Sequence, residues 1–521
     1  MQALSGLDAG FLYIETPETL MHVGSLCLYE LPEDLDDSFL HRVREHIRAR
    51  VHLAPILSRR LALMPFQLGH PVWAEAEHID FCYHVQGHVL SKPGRYSQLE
   101  TLVAHLHAQP LDRDRPLWEF HVIEGLADGR VALYSKVHHA ALDGAAGVAL
   151  AQALLDLSPT PREVPEPGAG KRTRAPSRLR LLGSLLGNSL AQYAKLARSL
   201  PGAVKSVASG AREQLSAVDP NALGASLAKL GDKAKRWIAP RTNFNRQIGA
   251  ERDFATLSLP FRDIKAVAGA LDATINDLVL ALCAGALRHY LASHHRLPKA
   301  TLVAAVPISL REGAEQSAGN QVTMLPCPLG TDKKSVASRL QAIQDGMEQL
   351  KQLTRGYKDY IPTDFPSLGA PWLIGGLASL AARARIAERV PLPVNLVISN
   401  VPGPPVPLYL AGARMLHYYP ASIVTHGLGL NITVHSYAGS LDFGVMVCKR
   451  SVPDLKHLMD GFAPAFDELR ELAAARLAPK RRRAGTKAAE ASKVEAKTPA
   501  AKPKAKPKRA APRRRTSATE A

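Results

Sequence analysis

Apolar and polar positions along this chain fall into two periods, and their alternation outlines two α/β units. In the first, Met21 to Glu30 and Arg130 to Val137 read as strands. Phe39 to Arg50, Gln98 to His107 and Ala145 to Leu157 carry apolar residues at helical spacing. The second unit opens near Thr242 and runs to about residue 478. It contains a predicted helix, Ile275 to Leu291, and predicted strands at Leu302–Pro307, Asn395–Ser399, Gly427–His435 and Leu441–Val447. A closing helix is expected from Val452 to Ala474. Strands alternating with helices twice over predict two similar halves, residues 1–157 and 242–478, although no residue-level repeat is visible.

Residues 158–241 join the halves. Ser158 to Pro176 is rich in Pro, Gly and Arg, a linker composition. Beyond it Leu179, Leu182, Leu186, Leu190 and Tyr193 recur at helical intervals beside Arg178, Arg180, Lys195 and Arg198. Such a basic amphipathic stripe suits either an anionic membrane surface or a crossover helix packed on the protein body. Residues 479–521 are Ala, Lys, Pro and Arg with almost no large apolar side chains, and are expected to be disordered.

Composition changes this picture only locally. The net charge of +18 is concentrated in the tail, where 15 basic and 3 acidic residues follow Pro479. The folded halves are only mildly basic. The tail suits solubility and non-specific adhesion, an anionic membrane or lipid inclusion, or non-specific binding of a polyanion such as nucleic acid. Without interleaved aromatics it offers no base-specific reading. Five scattered cysteines without a CxxC pair argue against a disulfide framework and a zinc site. The start of the chain lacks a basic, then apolar, leader, so a reducing cytoplasmic compartment is expected. Ile275–Leu291 carries Asn276, Asp277, Arg288 and His289, which are costly in lipid, so membrane contact is expected to be peripheral.

The candidate chemistry lies in His138-His139-Ala140-Ala141-Leu142-Asp143-Gly144, between an apolar strand and an Ala-rich helix. Acyl transfer from a thioester to an alcohol needs a base for the hydroxyl proton, and a neutral imidazole supplies one near neutral pH. His139 is the expected base; its imidazolium would then protonate the departing thiolate. His138 is expected to shape the loop. Asp143 would hold it by pairing with an arginine, for which Arg311 is a candidate, and Gly144 supplies freedom at the turn. No serine or cysteine stands nearby as a nucleophile, which favours direct attack over an acyl-enzyme.

Further blocks extend the pattern: Leu4-Ser5-Gly6-Leu7-Asp8-Ala9, Met21-His22-Val23-Gly24, Leu111-Asp112 with Arg115-Pro116-Leu117-Trp118-Glu119, Asn276-Asp277, Val306 to Arg311, Gly319-Asn320, and Ser399 to Pro404. In this order, over most of residues 1–475, the chain resembles the bacterial wax ester synthase/diacylglycerol acyltransferase family. The resemblance implies two chloramphenicol-acetyltransferase-like domains with the active-site channel between them, and His139 as general base. It implies acyl-CoA as a substrate, no cofactor, and diacylglycerol or a long-chain alcohol as acceptor, giving triacylglycerol or wax ester. Such an enzyme would associate peripherally with the inner face of the plasma membrane or with lipid inclusions. Asn276 is either a donor to the tetrahedral oxyanion or a helix N-cap, and Asp277 is expected to be structural. Pro116, Leu117 and Trp118 read as packing or channel wall. Asn400 to Pro404 reads as a tight turn that is purely structural or touches a ligand.

Two other readings share these features. A stand-alone condensation-type acyltransferase acting on a natural-product hydroxyl or amine has the same HHxxxDG, but no carrier segment is visible. A non-catalytic protein of lipid surfaces or nucleic acid would have no need of the intact motif. His78, Asp80, His84 and His88 fit no common zinc spacing, and no metal is expected.

Overall fold

The computed structural model describes residues 2–33, 38–64, 69–142, 144–166, 239–309, 322–357, 375–376, 380, 384–390 and 392–478. Asp143, Arg311, Gly319-Asn320, the amphipathic stripe after Arg178 and the basic tail lie outside these residues.

Two six-stranded sheets organise the described chain. In the first half, β1 (Gln2–Ala3), β3 (Arg59–Ala62) and β4 (Val72–Glu75) form a small antiparallel sheet. The larger sheet takes β2 (His22–Glu30), β5 (Val85–Val89), β6 (Trp118–Glu124) and β7 (Val131–His138). In the second half, β8 (Arg252–Pro260), β9 (Val303–Ser309), β10 (Val322–Pro328), β11 (Leu396–Pro402), β14 (Leu430–Tyr437) and β15 (Ser440–Cys448) form a mixed sheet in the order β10-β9-β11-β14-β15-β8. The remaining strands, β12 (Tyr409–Leu410) and β13 (Ala413–Ala421), cross into the first sheet, whose order is β12-β13-β2-β7-β6-β5. The first sheet therefore uses chain from both halves.

Why β7 sits at the centre follows from its sequence. Val131, Leu133 and Val137 point to one face, under the helices Phe39–Arg50 and Gly144–Leu154. Ala132 and Tyr134 point to the other, where they meet Leu99 and Val103 of the helix Tyr96–His107 and Phe254, Met446 and Cys448 of the second half. A strand buried on both faces reads as a nearly continuous apolar run, as this one does.

The helix Ile275–Ser293 is apolar around its whole circumference because it is enclosed, with every residue from Asp277 to Leu287 buried. Gly285 lets it approach the helix Phe462–Leu477; a Cβ there would lie 2.6 Å from that of Ala465. Among the described residues no single helix is long and apolar enough to cross a membrane.

The closing helix is two helices, Leu455–Asp460 and Phe462–Leu477. Asp454 caps the first through the His457 N–H, and the break falls at Gly461. The helix after the HHxxxDG segment stops at Leu154, short of Leu157. Asp156 leaves it to exchange two main-chain hydrogen bonds with Tyr409, and its buried carboxylate meets Arg50 at 3.3 Å and Arg162 at 3.0 Å. The end of the first half is thereby fixed to β12.

The expected turn at Asn400 to Pro404 is in its first part a strand. Asn400, Val401 and Pro402 continue β11 in parallel register with Val434, His435 and Ser436. Pro402 is tolerated because β9 pairs with this strand only at Leu396 and Val397, so no neighbour on that side asks for its missing N–H. Gly403 then allows close passage, since a Cβ there would lie 2.2 Å from His435 Nε2.

The two large sheets touch where β13 passes β15. Asp442, fully buried on β15, accepts from Ser258 Oγ at 2.7 Å, from Ser440 Oγ at 2.5 Å and from the Tyr418 N–H at 2.8 Å, with His417 Nδ1 at 3.1 Å. A Cβ on neighbouring Gly444 would lie 1.7 Å from the Pro420 carbonyl. Main chain cannot yield cheaply there, so Gly444→Ala is expected to destabilise the protein by ~1–3 kcal/mol in urea unfolding. Gly269→Ala, in a helix with nothing within 4 Å of the added carbon, should be neutral or stabilising.

Candidate active site

His138 is the last residue of β7 and His139 the first beyond it, on the strand-to-helix junction that the sequence predicts. Main-chain hydrogen bonds set both. The His138 N–H donates to the Leu117 carbonyl at 3.0 Å, and the His139 N–H donates to the Met21 carbonyl at 2.8 Å. Within the turn, Ala141 N–H donates to the His138 carbonyl at 2.9 Å. The block from Pro116 to Trp118 is therefore structural support. Leu117 is fully buried with Leu12, Leu61 and Ala140, and Trp118 donates from Nε1 to the Leu57 carbonyl at 3.0 Å. Pro116 forms an isolated bridge with Arg60.

The His139 ring stacks on Phe11, with centroids 4.1 Å apart and planes 19° from parallel. It is partly exposed, and of its two nitrogens Nδ1 is the buried one. Nδ1 makes no hydrogen bond of full geometry, although the residue's own carbonyl is close enough to favour the protonated ring. Burial outweighs that, and with the neighbouring His138 it pulls the His139 pKa below that of free imidazole. A ring so placed is neutral at pH 7 and ready to accept a proton.

His138 has the supporting place. Its Nδ1 accepts the Ala140 N–H at 3.1 Å, which leaves Nε2 facing the Glu15 carboxylate at 3.5 Å. Glu15 holds more than this ring. Its Oε1 accepts the Met21 N–H at 3.0 Å, and Arg113 Nη2 donates to its Oε2 at 2.5 Å. The carboxylate thus fixes one side of the Met21 residue whose carbonyl holds His139. Burial opposes ionisation of Glu15, but His138, the Met21 N–H and Arg113 prevail and bring its pKa down to about 2.

Arg113 is placed by a second hydrogen bond, from Nη2 to the Leu12 carbonyl at 2.9 Å, and Lys136 braces the segment before it. Lys136 is fully buried, 2.7 Å from Glu119, and donates to the carbonyls of Leu106 and Gln109 at 3.2 and 3.3 Å. This ties down the segment that leads to Arg113.

Glu15, Phe11 and Met21 were not singled out as site residues by the sequence reading. The opening blocks that contain or flank them were the available signal, and their purpose is now visible: Ser5 caps the helix Gly6–Ile14, which carries Phe11 to the imidazole.

The Asn276-Asp277 pair divides its duties differently from expectation. The N-cap is Thr274, whose Oγ1 accepts the Asp277 N–H at 3.1 Å while Asp277 Oδ2 accepts the Thr274 N–H at 3.0 Å. Asp277 completes this capping box, and the N-cap place offered to Asn276 belongs to Thr274. Asn276 is partly exposed, and its side chain makes no hydrogen bond among the described residues. Asn400 is partly exposed on β11. Gly144 opens the helix after the motif.

The histidines near residue 80 have structural partners. His84 Nδ1 meets the Trp118 carbonyl at 2.8 Å, His88 Nε2 meets His121 Nδ1 at 3.1 Å, and Asp80 caps the helix Phe81–His84. Among the described residues no group of three His, Cys, Asp or Glu is arranged to hold a metal ion.

This fold is shared with condensation domains. The first condensation domain of the calcium-dependent antibiotic synthetase superposes with a TM-score of 0.51 at 18% identity, over 91% of this chain and 96% of that one. A nearer match is the wax ester synthase/diacylglycerol acyltransferase from Marinobacter aquaeolei VT8, with a TM-score of 0.62 and 31% identity over 91% of this chain and all of that one. Residues 4–279 match the wax ester synthase/diacylglycerol acyltransferase catalytic domain, and residues 318–470 match the C-terminal domain of the same family. A probable diacylglycerol O-acyltransferase of Mycobacterium tuberculosis is 37% identical over 475 residues, 89% of this chain and 98% of its own length. An O-acyltransferase of Acinetobacter baylyi is 32% identical over 470 residues, 88% of this chain and 95% of its own length. The chain belongs to the wax ester synthase/diacylglycerol acyltransferase family.

The Glu15 arrangement predicts a pH signature. A carboxylate whose pKa falls on folding stabilises the fold above its unfolded value near 4.5, and that contribution is lost as pH drops toward 2. Wild type should be more stable than Glu15→Gln at pH 6, with the gap closing progressively below pH 4.5 in chemical denaturation.

Proposed function

We propose that this protein transfers a fatty acyl group from acyl-CoA to the hydroxyl of diacylglycerol or a long-chain alcohol, with His139 as general base. Acyl transfer that makes neutral lipid is the activity of the family to which the chain belongs. The observation that carries the catalytic assignment is the His139 ring: buried at Nδ1, stacked on Phe11, partly open, and depressed in pKa by burial.

The neutral imidazole takes the proton of the acceptor hydroxyl as its oxygen attacks the thioester carbonyl. The C–O bond forms and the carbonyl becomes a tetrahedral oxyanion. The unengaged Asn276 amide is the donor we assign to that oxyanion. Collapse breaks the C–S bond, and the imidazolium returns its proton to the coenzyme A thiolate. Proton and acyl group both balance without an acyl-enzyme or a cofactor. Because acceptor and product are water-insoluble, we infer that turnover takes place against a membrane or lipid inclusion, with the enzyme peripheral to it.

Release of free thiol from palmitoyl-CoA, with hexadecanol or a diacylglycerol as acceptor, tests this reading. Acceptor-dependent release should fall at least 100-fold in His139→Ala with the melting temperature retained. Absence of release with either acceptor from folded wild type would refute the reading. Asn276→Ala should lower kcat by ~10²–10³ without loss of stability, as removal of an oxyanion donor does. Thr274→Ala should instead cost ~1 kcal/mol of stability through the lost cap.

A further inference from the structure

An open cavity of about 730 Å³ lies in the second half, walled by the C-terminal ends of the helix Ile275–Ser293 and of β15. It is lined by Arg241, Arg246, Arg296, Arg385 and Arg450, with Glu388 as the carboxylate among them. Clustered guanidinium groups repel one another, so such a wall costs free energy unless anions occupy it.

Two of the arginines are braced. Arg241 Nη2 donates to the Arg389 carbonyl at 2.8 Å, and Arg385 Nε donates to Gln247 Oε1 at 3.2 Å with the Glu388 carboxylate 3.8 Å away. Arg246, Arg296 and Arg450 are exposed and have no carboxylate partner among the described residues. At the cavity lining stands a different kind of group. Ser451 is 1% exposed, and its buried hydroxyl has no hydrogen-bond partner among the described residues. That hydroxyl is packed against Gly429, so the arginines supply the donors that a ligand in the cavity would meet.

Planar guanidinium forks match the oxygens of phosphate in pairs. Several arginines around one cavity of this size suit a ligand with more than one negative group. We propose that this cavity is a phosphate-binding site, separate from the residues around His139, that takes a small organic ligand bearing two or more clustered phosphates. The inference does not depend on the acyl-transfer reading.

Calorimetric titration of the full-length protein with inorganic pyrophosphate at 0.15 M salt tests it. The site predicts saturable binding whose Kd rises at least ten-fold in the double variant Arg246→Gln/Arg450→Gln, with circular dichroism and melting unchanged. Arg262→Gln, an exposed arginine outside the cavity, and His139→Ala should leave the Kd as it is. Binding by the basic residues after Pro479 would survive the double substitution, so an unchanged titration overturns the proposal. Citrate binding as tight as pyrophosphate would overturn the choice of phosphate. Displacement of pyrophosphate by coenzyme A would identify a soluble nucleotide source, and displacement by cardiolipin but not phosphatidylcholine vesicles a lipid headgroup. Displacement by neither would contradict an organic phosphate ligand.

Discussion

The crossing of β12 and β13 from the second half into the first sheet is the constraint on which the rest of this structure depends. β13, from the second half, completes the first sheet by pairing with β2 from Arg414 to Ala421. On its other side it meets β15, where the buried Asp442 binds groups from β8, β13 and β15. A buried carboxylate is stable only when donors surround it. Those donors converge only when β13, β15 and β8 are in register, so the polar node specifies one arrangement. β2 is the shared neighbour: it receives β13 on one edge and β7 on the other, and β7 ends at His138, next to His139.

The site inherits its precision from main chain more than from side chains. His138 and His139 are each held by a carbonyl of another segment, Leu117 and Met21. Neither carbonyl is free to drift. Leu117 is packed in a buried cluster, and the N–H of Met21 is bound by Glu15. Behind them, Lys136 and Arg113 spend their charges on carboxylates and carbonyls. The consequence for chemistry is a ring whose orientation is fixed before substrate arrives, which removes an entropic cost from the reaction. Burial supplies the second requirement by keeping that ring neutral.

Local patterns were legible in the sequence, and long-range partnerships were not. β2, the helix Phe39–Arg50, β7 and the helix beginning at Ile275 fall within a residue or two of their predicted bounds, because each has a strong apolar period and is buried along it. The Pro and Gly of the Ser399–Pro404 block read as a turn, since nothing in the sequence tells that β11 has a neighbour on one side only at that level. Membership of β13 in the first sheet was invisible for a related reason: pairing partners separated by nearly 400 positions leave no local spacing. The HHxxxDG segment announced His139. Glu15 did not announce itself, because its role comes from proximity to Met21, Arg113 and His138, contributed by three separate stretches of chain.

The central claim is that His139 acts as a base because its environment keeps it neutral. Its most direct test is the pH dependence of kcat/KM for acceptor-dependent thiol release, which reports the titration of essential groups in the free enzyme. The account predicts a plateau through pH 7, with activity falling only below pH 6.5 as the ring protonates. An acid limb centred at or above pH 7, or a profile flat into the acid range, would contradict it.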